Sequence, residues 1–216
     1  MTPAAKAAQR TDAPRAAASV KRRQAILDAA LDSFVAKGYA QTTIADVRER
    51  SGASIGSIYH HFGSKEEIAA AVYVDGLAGY QGELVRVLAR NRDAEAGVKA
   101  VVRHHLRWVS RYPDLARYMR GSRPAEVVLA SEGPLRELNR GFFAEVGEWL
   151  EHQHEAGRLR RLPTDLLYAI LIGPSQEFSR HWLAGRTKTS LTRASSELAE
   201  AAWQALRTPG TPGRRR

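Results

Sequence analysis

The sequence predicts an all-α fold of about nine helices, in which a small N-terminal unit precedes a larger helical domain. Apolar residues recur three and four positions apart through most of the chain, as Leu27, Ala30, Leu31 and Phe34 do. This spacing gathers them on one face of a helix. The apolar run 166–173 is also compatible with a buried strand, but no partner strand accompanies it, so a helix is favoured.

Composition narrows the class of protein. The 216 residues, 44% of them apolar, suffice for one compact domain or for a small module joined to a larger one. Cysteine is absent, which excludes disulfides, cysteine-bound zinc and a thiol nucleophile. The longest apolar stretch, about eight residues, is far shorter than the roughly 20 that a membrane span requires, and no secretion signal opens the chain. We therefore expect a soluble, cytoplasmic protein.

Positive charge is concentrated at the two ends of the chain. The formal net charge is +10, of which residues 1–65 contribute +5 and residues 207–216 contribute +4, so residues 66–206 are nearly neutral. This asymmetry indicates an N-terminal module that binds a polyanion such as nucleic acid. The outermost segments, 1–19 and 207–216, have too few large apolar residues to form a core, and we expect both to be disordered basic tails.

The first predicted helix runs from about Val20 to Lys37. It closes at Gly38, a residue type that favours helix C-termini. Three cations, Lys21, Arg22 and Arg23, lie near its N-terminus, where the helix dipole disfavours positive charge. A bound anion nearby would explain their presence.

The second and third helices are joined by a tight turn. Thr43 and Asp46 have capping-box spacing and start the second helix, which ends near Gly52. The third helix spans about 54–61, and Ser64 with Glu67 forms another capping box that starts a long helix. Two short helices across a tight turn are typical of the helix-turn-helix, whose later helix enters the DNA major groove. Residues 20–65 are therefore predicted to be a DNA-binding domain.

The stretch from Thr42 to Ile68, TTIADVRERSGASIGSIYHHFGSKEEI, resembles the N-terminal domain of TetR-family transcriptional regulators. The shared features lie within residues 21–70: the helix end Phe34…Gly38-Tyr39, the paired threonines, Gly52 in the turn, the aromatic run 59–62, and Ser64-Lys65-Glu66. Beyond about residue 75 the resemblance covers architecture only. It implies a homodimeric regulator with DNA contacts in its first domain and a small-molecule effector in its second.

The resemblance also implies roles for individual residues. Tyr59, His60 and Lys65 would contact backbone phosphates, because their side chains all donate hydrogen bonds. Thr43, at a helix N-cap, lies where a phosphate is favoured, and Gly56 permits close approach of the backbone to DNA. Four residues would contact base edges: Arg48, Ser54, Ile55 and Ser57. Arg48 can form two hydrogen bonds with guanine, the two serines form weakly selective hydrogen bonds, and Ile55 can pack against a thymine methyl. Arg22 and Arg23 complete the predicted contacts, and Tyr59 is equally compatible with a core position.

Residues 66–206 are predicted to form the effector-binding and dimerisation domain. The spacing predicts a helix over about 94–112 and, after Pro113, a short one through Met119. Residues 120–133 are predicted to be irregular or to carry one short helix over 125–130. A long helix follows from Pro134 to about Glu155, and Gly157 ends it. Residues 166–184 and 191–206 form the last two helices.

The last two helices are the predicted homodimer interface. Leu191, Ala194, Leu198, Ala201 and Ala205 form a stripe with few bulky groups, so another helix can approach closely. Two such helices per chain build a four-helix bundle, and a two-fold dimer supplies the second recognition helix that a specific DNA site requires. The alternative is that these faces form the core of a single chain.

Side chains in the middle of the chain are candidates for an effector pocket, which combines large apolar groups with a few polar ones. The candidates lie on helices that we expect to face one another: His105, Trp108, Tyr112, Met119, Asn139, Phe142, Phe143, Trp149, Gln176, Phe178 and His181. Taken residue by residue, aromatics at helical spacing are more often core. The existence of a pocket among them is implied by the resemblance.

The sequence predicts no cofactor and no metal site. Adjacent histidines such as His60 and His61 diverge by about 100° on a helix, and no cluster of metal ligands occurs. Phosphate-binding glycine loops and nucleophile motifs are missing, which argues against an enzyme. Two DNA-binding hypotheses remain: a homodimeric repressor of a palindromic operator that a small-molecule effector releases, and a nonspecific architectural protein without an effector. The two capping boxes and the tight turn of the helix-turn-helix favour the first hypothesis.

Overall fold

The computed structural model describes residues 3–121 and 123–210, with side chains from residue 15 onward. Within these ranges the regular structure consists of ten helices: α1 (Pro3–Gln41), α2 (Ile44–Ser51), α3 (Ile55–His61), α4 (Lys65–Arg90), α5 (Ala94–Arg111), α6 (Pro113–Arg120), α7 (Ala125–Glu155), α8 (Thr164–Leu171), α9 (Gly173–Leu183) and α10 (Leu191–Leu206). The predicted all-α class is confirmed. No helix in the described ranges is both long enough and apolar enough to span a bilayer.

The chain divides into two compact units. The N-terminal unit consists of Met1–Gly76 and Arg117–Pro134, and the C-terminal unit of Leu77–Ala116 and Leu135–Arg216. The sequence predicted two folded domains, residues 20–65 and 66–206, between tails at 1–19 and 207–216, and each of these was one continuous segment because local patterns relate only neighbours along the chain. The structure instead groups residues 117–134 with the helix-turn-helix region.

Helix α1 begins at Pro3, whereas the sequence predicted a helix from about Val20 and a disordered tail over residues 1–19. The prediction considered burial alone, but an alanine-rich segment has high helix propensity without any core to pack against. The predicted closure at Gly38 is confirmed as a break inside α1, with φ at +81°. Residues 1 and 2, and residues 211–216 of the predicted C-terminal tail, lie outside the described residues.

The core of the N-terminal unit gathers one apolar face from each of its helices. Ile26 and Ala30 of α1, Val47 of α2 and Ile58 of α3 are completely buried. Residues 117–134 complete this core, because the ring of Tyr118 stacks on Phe34 at 5.6 Å.

The two predicted capping boxes have different geometries. At α2, the Asp46 N–H donates to Thr43 Oγ1 at 3.2 Å and the Thr43 N–H donates to Asp46 Oδ2 at 2.7 Å, so the box is complete. At α4, the Glu67 N–H donates to Ser64 Oγ at 3.2 Å, but the Glu67 carboxylate accepts from the N–H of Gly63 instead. In the second box the Glu67 carboxylate thus accepts from the residue before the N-cap rather than from the N-cap residue Ser64.

Two helix predictions around prolines were wrong. Helix α7 begins at Ala125 and continues through Pro134, where the sequence predicted an irregular segment or a short helix followed by a new helix start. A proline within a helix removes one hydrogen bond and bends it without necessarily ending it. Conversely, the single helix predicted over 166–184 is two helices, α8 and α9, because Pro174 occupies the first turn of a new helix after Ile172.

The core of the C-terminal unit is formed mainly where α10 packs against α5. Ala199, Trp203 and Leu206 of α10 are nearly inaccessible and meet Val98 and Val102 of α5. Of the α10 stripe predicted for dimerisation, Ala194 is buried and Ala201 is exposed. Much of α10 thus serves the core of one chain, which is the alternative that the sequence left open.

Candidate nucleic-acid interface and ligand site

Helix α3 has one anchored face and one free face. Its N-cap is Ser54, whose Oγ accepts from the Ser57 N–H at 3.1 Å. Ile58 is completely buried, whereas Ile55 is 48% exposed and Tyr59 is 51% exposed. Because Ile55 and Tyr59 are four positions apart, they share the free face. The structure therefore places Tyr59 outside the core.

Most of the other predicted DNA contacts are also solvent-exposed. The exposed members are Arg22, Thr43, Arg48, Ser54, Gly56 and His60, while Ser57 is half-buried. Together with Ile55 and Tyr59, the residues on α2 and α3 supply a cation, hydroxyls, an imidazole, a phenol and an apolar group. These are the groups that contact DNA phosphates and base edges.

Thr43 is already engaged in the capping box. Its hydroxyl contacts Asp46 Oδ2 at 2.7 Å, and the other carboxylate oxygen of Asp46 lies 2.6 Å from Lys37 Nζ. The hydrogen bond from Lys37, followed by those from Thr43, holds the pKa of Asp46 well below its usual range. The start of α2 is thereby fixed before any ligand arrives.

Lys65 has a structural role that the sequence did not suggest. Its ammonium donates to the carbonyls of Tyr39 and Thr42 at 3.2 and 3.1 Å, and lies 4.3 Å from the centre of the Tyr39 ring. The Tyr39 hydroxyl in turn donates to Glu66 at 2.9 Å, and burial followed by this carboxylate raises the pKa of Tyr39. Lys65 thus ties the start of α4 to the end of α1.

Arg23 is likewise paired within the unit. Its guanidinium lies 2.5 Å from Asp75 of α4 and 5.4 Å from the ring centre of Phe62. Arg22 is exposed. Because α1 begins at Pro3, neither arginine lies at a helix N-terminus, and the dipole argument made from the sequence does not apply to them.

In the C-terminal unit, several predicted pocket residues meet around Tyr80 of α4. The Tyr80 hydroxyl lies 3.1 Å from His105 Nδ1, and His105 Nε2 lies 3.5 Å from Ser179 Oγ. The rings of Tyr80 and Trp108 meet edge to face at 5.2 Å. Burial raises the pKa of the Tyr80 phenol. We refer to Tyr80, Gln81, His105, Trp108 and Phe142 as the polar-aromatic cluster.

The second part of this cluster joins α4 to α7. Gln81 Nε2 donates to Asn139 Oδ1 at 2.9 Å, and Phe142 packs against a core group that includes Leu84 and Ile172. Gln81 is 6% exposed, and its Oε1 has no hydrogen-bond partner among the described residues. The sequence analysis missed Tyr80 and Gln81, although Gln81 is a polar residue within the apolar stripe 77–84–88, which is a detectable signal.

Other predicted pocket residues lie elsewhere. Met119 belongs to the N-terminal unit. Gln176 donates to the Tyr168 hydroxyl at 2.6 Å, His181 pairs with Glu177, and Phe143 is 54% exposed. The ring of Tyr112 lies 5.6 Å from that of Trp108, and Phe178 is half-buried.

Trp149 lines a cleft in the C-terminal unit. This cleft has a volume of about 440 Å³, and its lining includes the apolar residues Leu88, Val146 and Trp149 and the charged residues Arg92 and Glu148. Leu88, Val146 and Trp149 also pack with Phe142 in one core group, so the cleft adjoins the polar-aromatic cluster.

In the described part of the chain, no three His, Asp or Glu side chains are grouped in a way that could hold a metal ion. His104 is buried, with its Nδ1 3.9 Å from Glu83. Burial lowers the pKa of His104, with the Glu83 carboxylate acting in the opposite direction.

Comparison with known proteins identifies the N-terminal region. The family described as bacterial regulatory proteins, tetR family, matches residues 26–72, which include α2, α3 and the turn between them. The N-terminal region of the chain thus matches the TetR family. Its predicted resemblance to that family is therefore confirmed.

Two relatives of this chain are informative. It is 33% identical over 81 residues to the HTH-type transcriptional repressor KstR2 of Rhodococcus jostii, which covers 38% of this chain and 40% of that protein. It is 27% identical over 181 residues to the HTH-type transcriptional repressor AcnR of Corynebacterium diphtheriae, covering 83% and 90% of the two chains. The chain thus matches about two fifths of the length of the first relative and most of the second.

The fold is shared with solved structures of this family. FadR of Bacillus subtilis, solved in complex with stearoyl-CoA, superposes with a TM-score of 0.69 at 20% sequence identity, covering 83% of this chain and 96% of FadR. At this level of identity the comparison establishes the TetR-family fold of the chain.

Proposed function

We propose that this protein is a homodimeric transcriptional repressor that binds a palindromic DNA operator through α2 and α3. The observation that carries the proposal is the free face of α3, on which Ile55 and Tyr59 are each about half exposed beside a completely buried Ile58. Core packing does not require an exposed isoleucine and tyrosine on a seven-residue helix. Contact with a thymine methyl and with a phosphate does account for them.

A homodimer supplies a second DNA-recognition helix. One short helix contacts too few base pairs for a specific site, whereas a two-fold pair reads half-sites about one helical turn apart. We propose the surface of α8–α10 for this contact, because Leu166 and Tyr168 of α8 are about half exposed and Ala201 of α10 is exposed.

A small-molecule effector would bind in the C-terminal unit. We propose that it occupies the 440 Å³ cleft and reaches the polar-aromatic cluster through Trp149 and Val146. Helices α4 and α7 each contribute residues to both units, so a ligand that favours one arrangement of these helices changes DNA affinity by its differential binding.

In vitro selection from random DNA, with excess nonspecific competitor, tests the DNA-binding proposal. A palindrome with half-sites about one helical turn apart is the expected result. Tyr59→Phe and Arg48→Gln should each weaken binding to the selected operator by more than tenfold, the first by removing a phosphate donor and the second by removing a base contact worth about 1–3 kcal/mol. Arg107→Gln, an exposed arginine of the C-terminal unit, is the charge-matched control.

Selection without any recovered motif, together with binding that is independent of sequence, would favour the architectural alternative. For the effector, stearoyl-CoA is the first probe because FadR was solved with it. Release of the operator by this probe, and loss of release in Val146→Trp, would support the proposed cleft. Release that persists in Val146→Trp would place the ligand elsewhere.

A further inference from the structure

The N-terminal part of α1 continues well beyond the domain that it anchors. From residue 15 onward, the first completely buried residue of α1 is Ile26, and the family match also begins at residue 26. From residue 15 to residue 22 every side chain is exposed, including Val20 at 68%. These eight residues form about 12 Å of helix, at 1.5 Å per residue. We call residues 15–22 the α1 extension.

The α1 extension is strongly basic. It carries Arg15, Lys21 and Arg22, and no Asp or Glu occurs from residue 13 to residue 27. Among the described side chains, no carboxylate pairs with these three cations. Arg23, the next cation, differs because Asp75 neutralises it within the domain.

Two of the cations follow the face of α1 that packs against the helix-turn-helix. Backbone angles are helical throughout α1 except at Gly38, so side-chain directions advance by about 100° per residue from Arg15 onward. On this count Arg15 and Arg22 lie within about 20° and 40° of the direction of Ile26. Ile26 belongs to the core of the unit, and α1 packs against α2 and α3.

The extension has no evident structural task. It buries no apolar surface, and an isolated helix of this length is marginal in water. Like charges that are close together also destabilise a helix. A polyanion held beside α2 and α3 would offset both costs through phosphate contacts.

We propose that the α1 extension is a second DNA-binding element, in which Arg15 joins Arg22 in contacting the phosphate backbone outside the half-site. This inference rests on the proposed function, since the duplex held by α2 and α3 is its partner. Contacts of this kind carry no base information and act on affinity and on its salt dependence.

The test uses the variant Arg15→Gln of the full chain and the operator selected by the wild-type protein. Affinity is measured between about 50 and 200 mM KCl on two duplexes, one trimmed to the palindrome and one with about one extra helical turn on each side. Each lost phosphate contact lowers the slope of log K against log[salt] by about 0.9, so one contact per protomer, two per dimer, corresponds to a difference of about 12-fold over this salt range. Arg107→Gln removes the same charge from an exposed site of the C-terminal unit and is the matched control.

The expected result has three parts. The wild type binds the longer duplex more tightly than the trimmed one, Arg15→Gln loses this gain together with part of the salt slope, and the control keeps both. If Arg15→Gln retains the wild-type slope and the flank effect, the inference is overturned while operator binding by α2 and α3 stands. If the wild type selects no operator, the proposed function fails and the inference fails with it.

Discussion

The indole of Trp149 lies directly against the backbone of Gly97, where a Cβ atom would overlap its ring. The contact joins α7 to α5 in the C-terminal unit. The same indole donates from Nε1 to the carbonyl of Asn91 at 2.9 Å, so it cannot withdraw without losing a hydrogen bond. Gly97 is therefore required for close approach, although its φ angle is unremarkable for a helix.

Gly97→Ala should destabilise the protein. Overpacking of a filled site costs about 1–3 kcal/mol, which exceeds the gain of roughly 1 kcal/mol from replacing a helical glycine by alanine. Urea unfolding followed by tryptophan fluorescence measures the difference.

The control for this change is Gly141→Ala on α7. Position 141 is exposed and has no atom within 4 Å of the added Cβ, so alanine should stabilise the protein by about 0.5–1 kcal/mol. If both variants are stabilised, the proposed tight contact at Gly97 is wrong.

Thr43→Ala should loosen the start of α2. The substitution removes the cap oxygen that accepts from the Asp46 N–H, and loss of such a cap costs about 0.5–2 kcal/mol. Hydrogen exchange of the amides of α2 detects the loss locally, and Thr43→Ser, which keeps the hydroxyl, should restore protection. Equal exchange in all three proteins would contradict a capping role.

The Asp46 carboxyl should titrate well below its ordinary pKa. Lys37 is the largest cause, followed by the bonds from Thr43. Because the folded-state pKa is depressed, the associated stability is present above the unfolded-state pKa and is lost as pH falls through the folded-state pKa. Lys37→Gln should raise the pKa of Asp46 in an NMR titration, whereas Lys188→Gln, a change of an exposed lysine in the C-terminal unit, should leave it unaltered. An unchanged pKa of Asp46 in Lys37→Gln would refute this ion pair.

Gln81 and Asn139 should show strongly non-additive effects on stability. Asn139→Leu strands the buried amide of Gln81, which costs about 1–3 kcal/mol. In the double variant Gln81→Leu/Asn139→Leu no donor remains unpaired, so part of that loss should be recovered. A double-mutant cycle from urea unfolding measures the coupling free energy. Additive effects of the two substitutions would show that the hydrogen bond between the two side-chain amides contributes nothing to stability.

The sequence by itself determined the local structure of the N-terminal region and its family. The spacing of Thr43 and Asp46, the turn at Gly52 and the break at Gly38 act between residues a few positions apart, so each could be read from the order of residues. The family resemblance draws on the same short-range features and was confirmed over residues 26–72.

Tertiary structure alone decided which side chains meet. Lys65 bonds to carbonyls at the end of α1, Tyr80 contacts His105, and residues 117–134 join the N-terminal unit. These contacts link positions more than twenty residues apart, and each depends on how helices pack rather than on local propensity. Pro134 illustrates the limit, because a proline begins one helix and bends another according to the packing around it. Periodicity shows which face of a helix is apolar, and only the folded chain shows what that face covers.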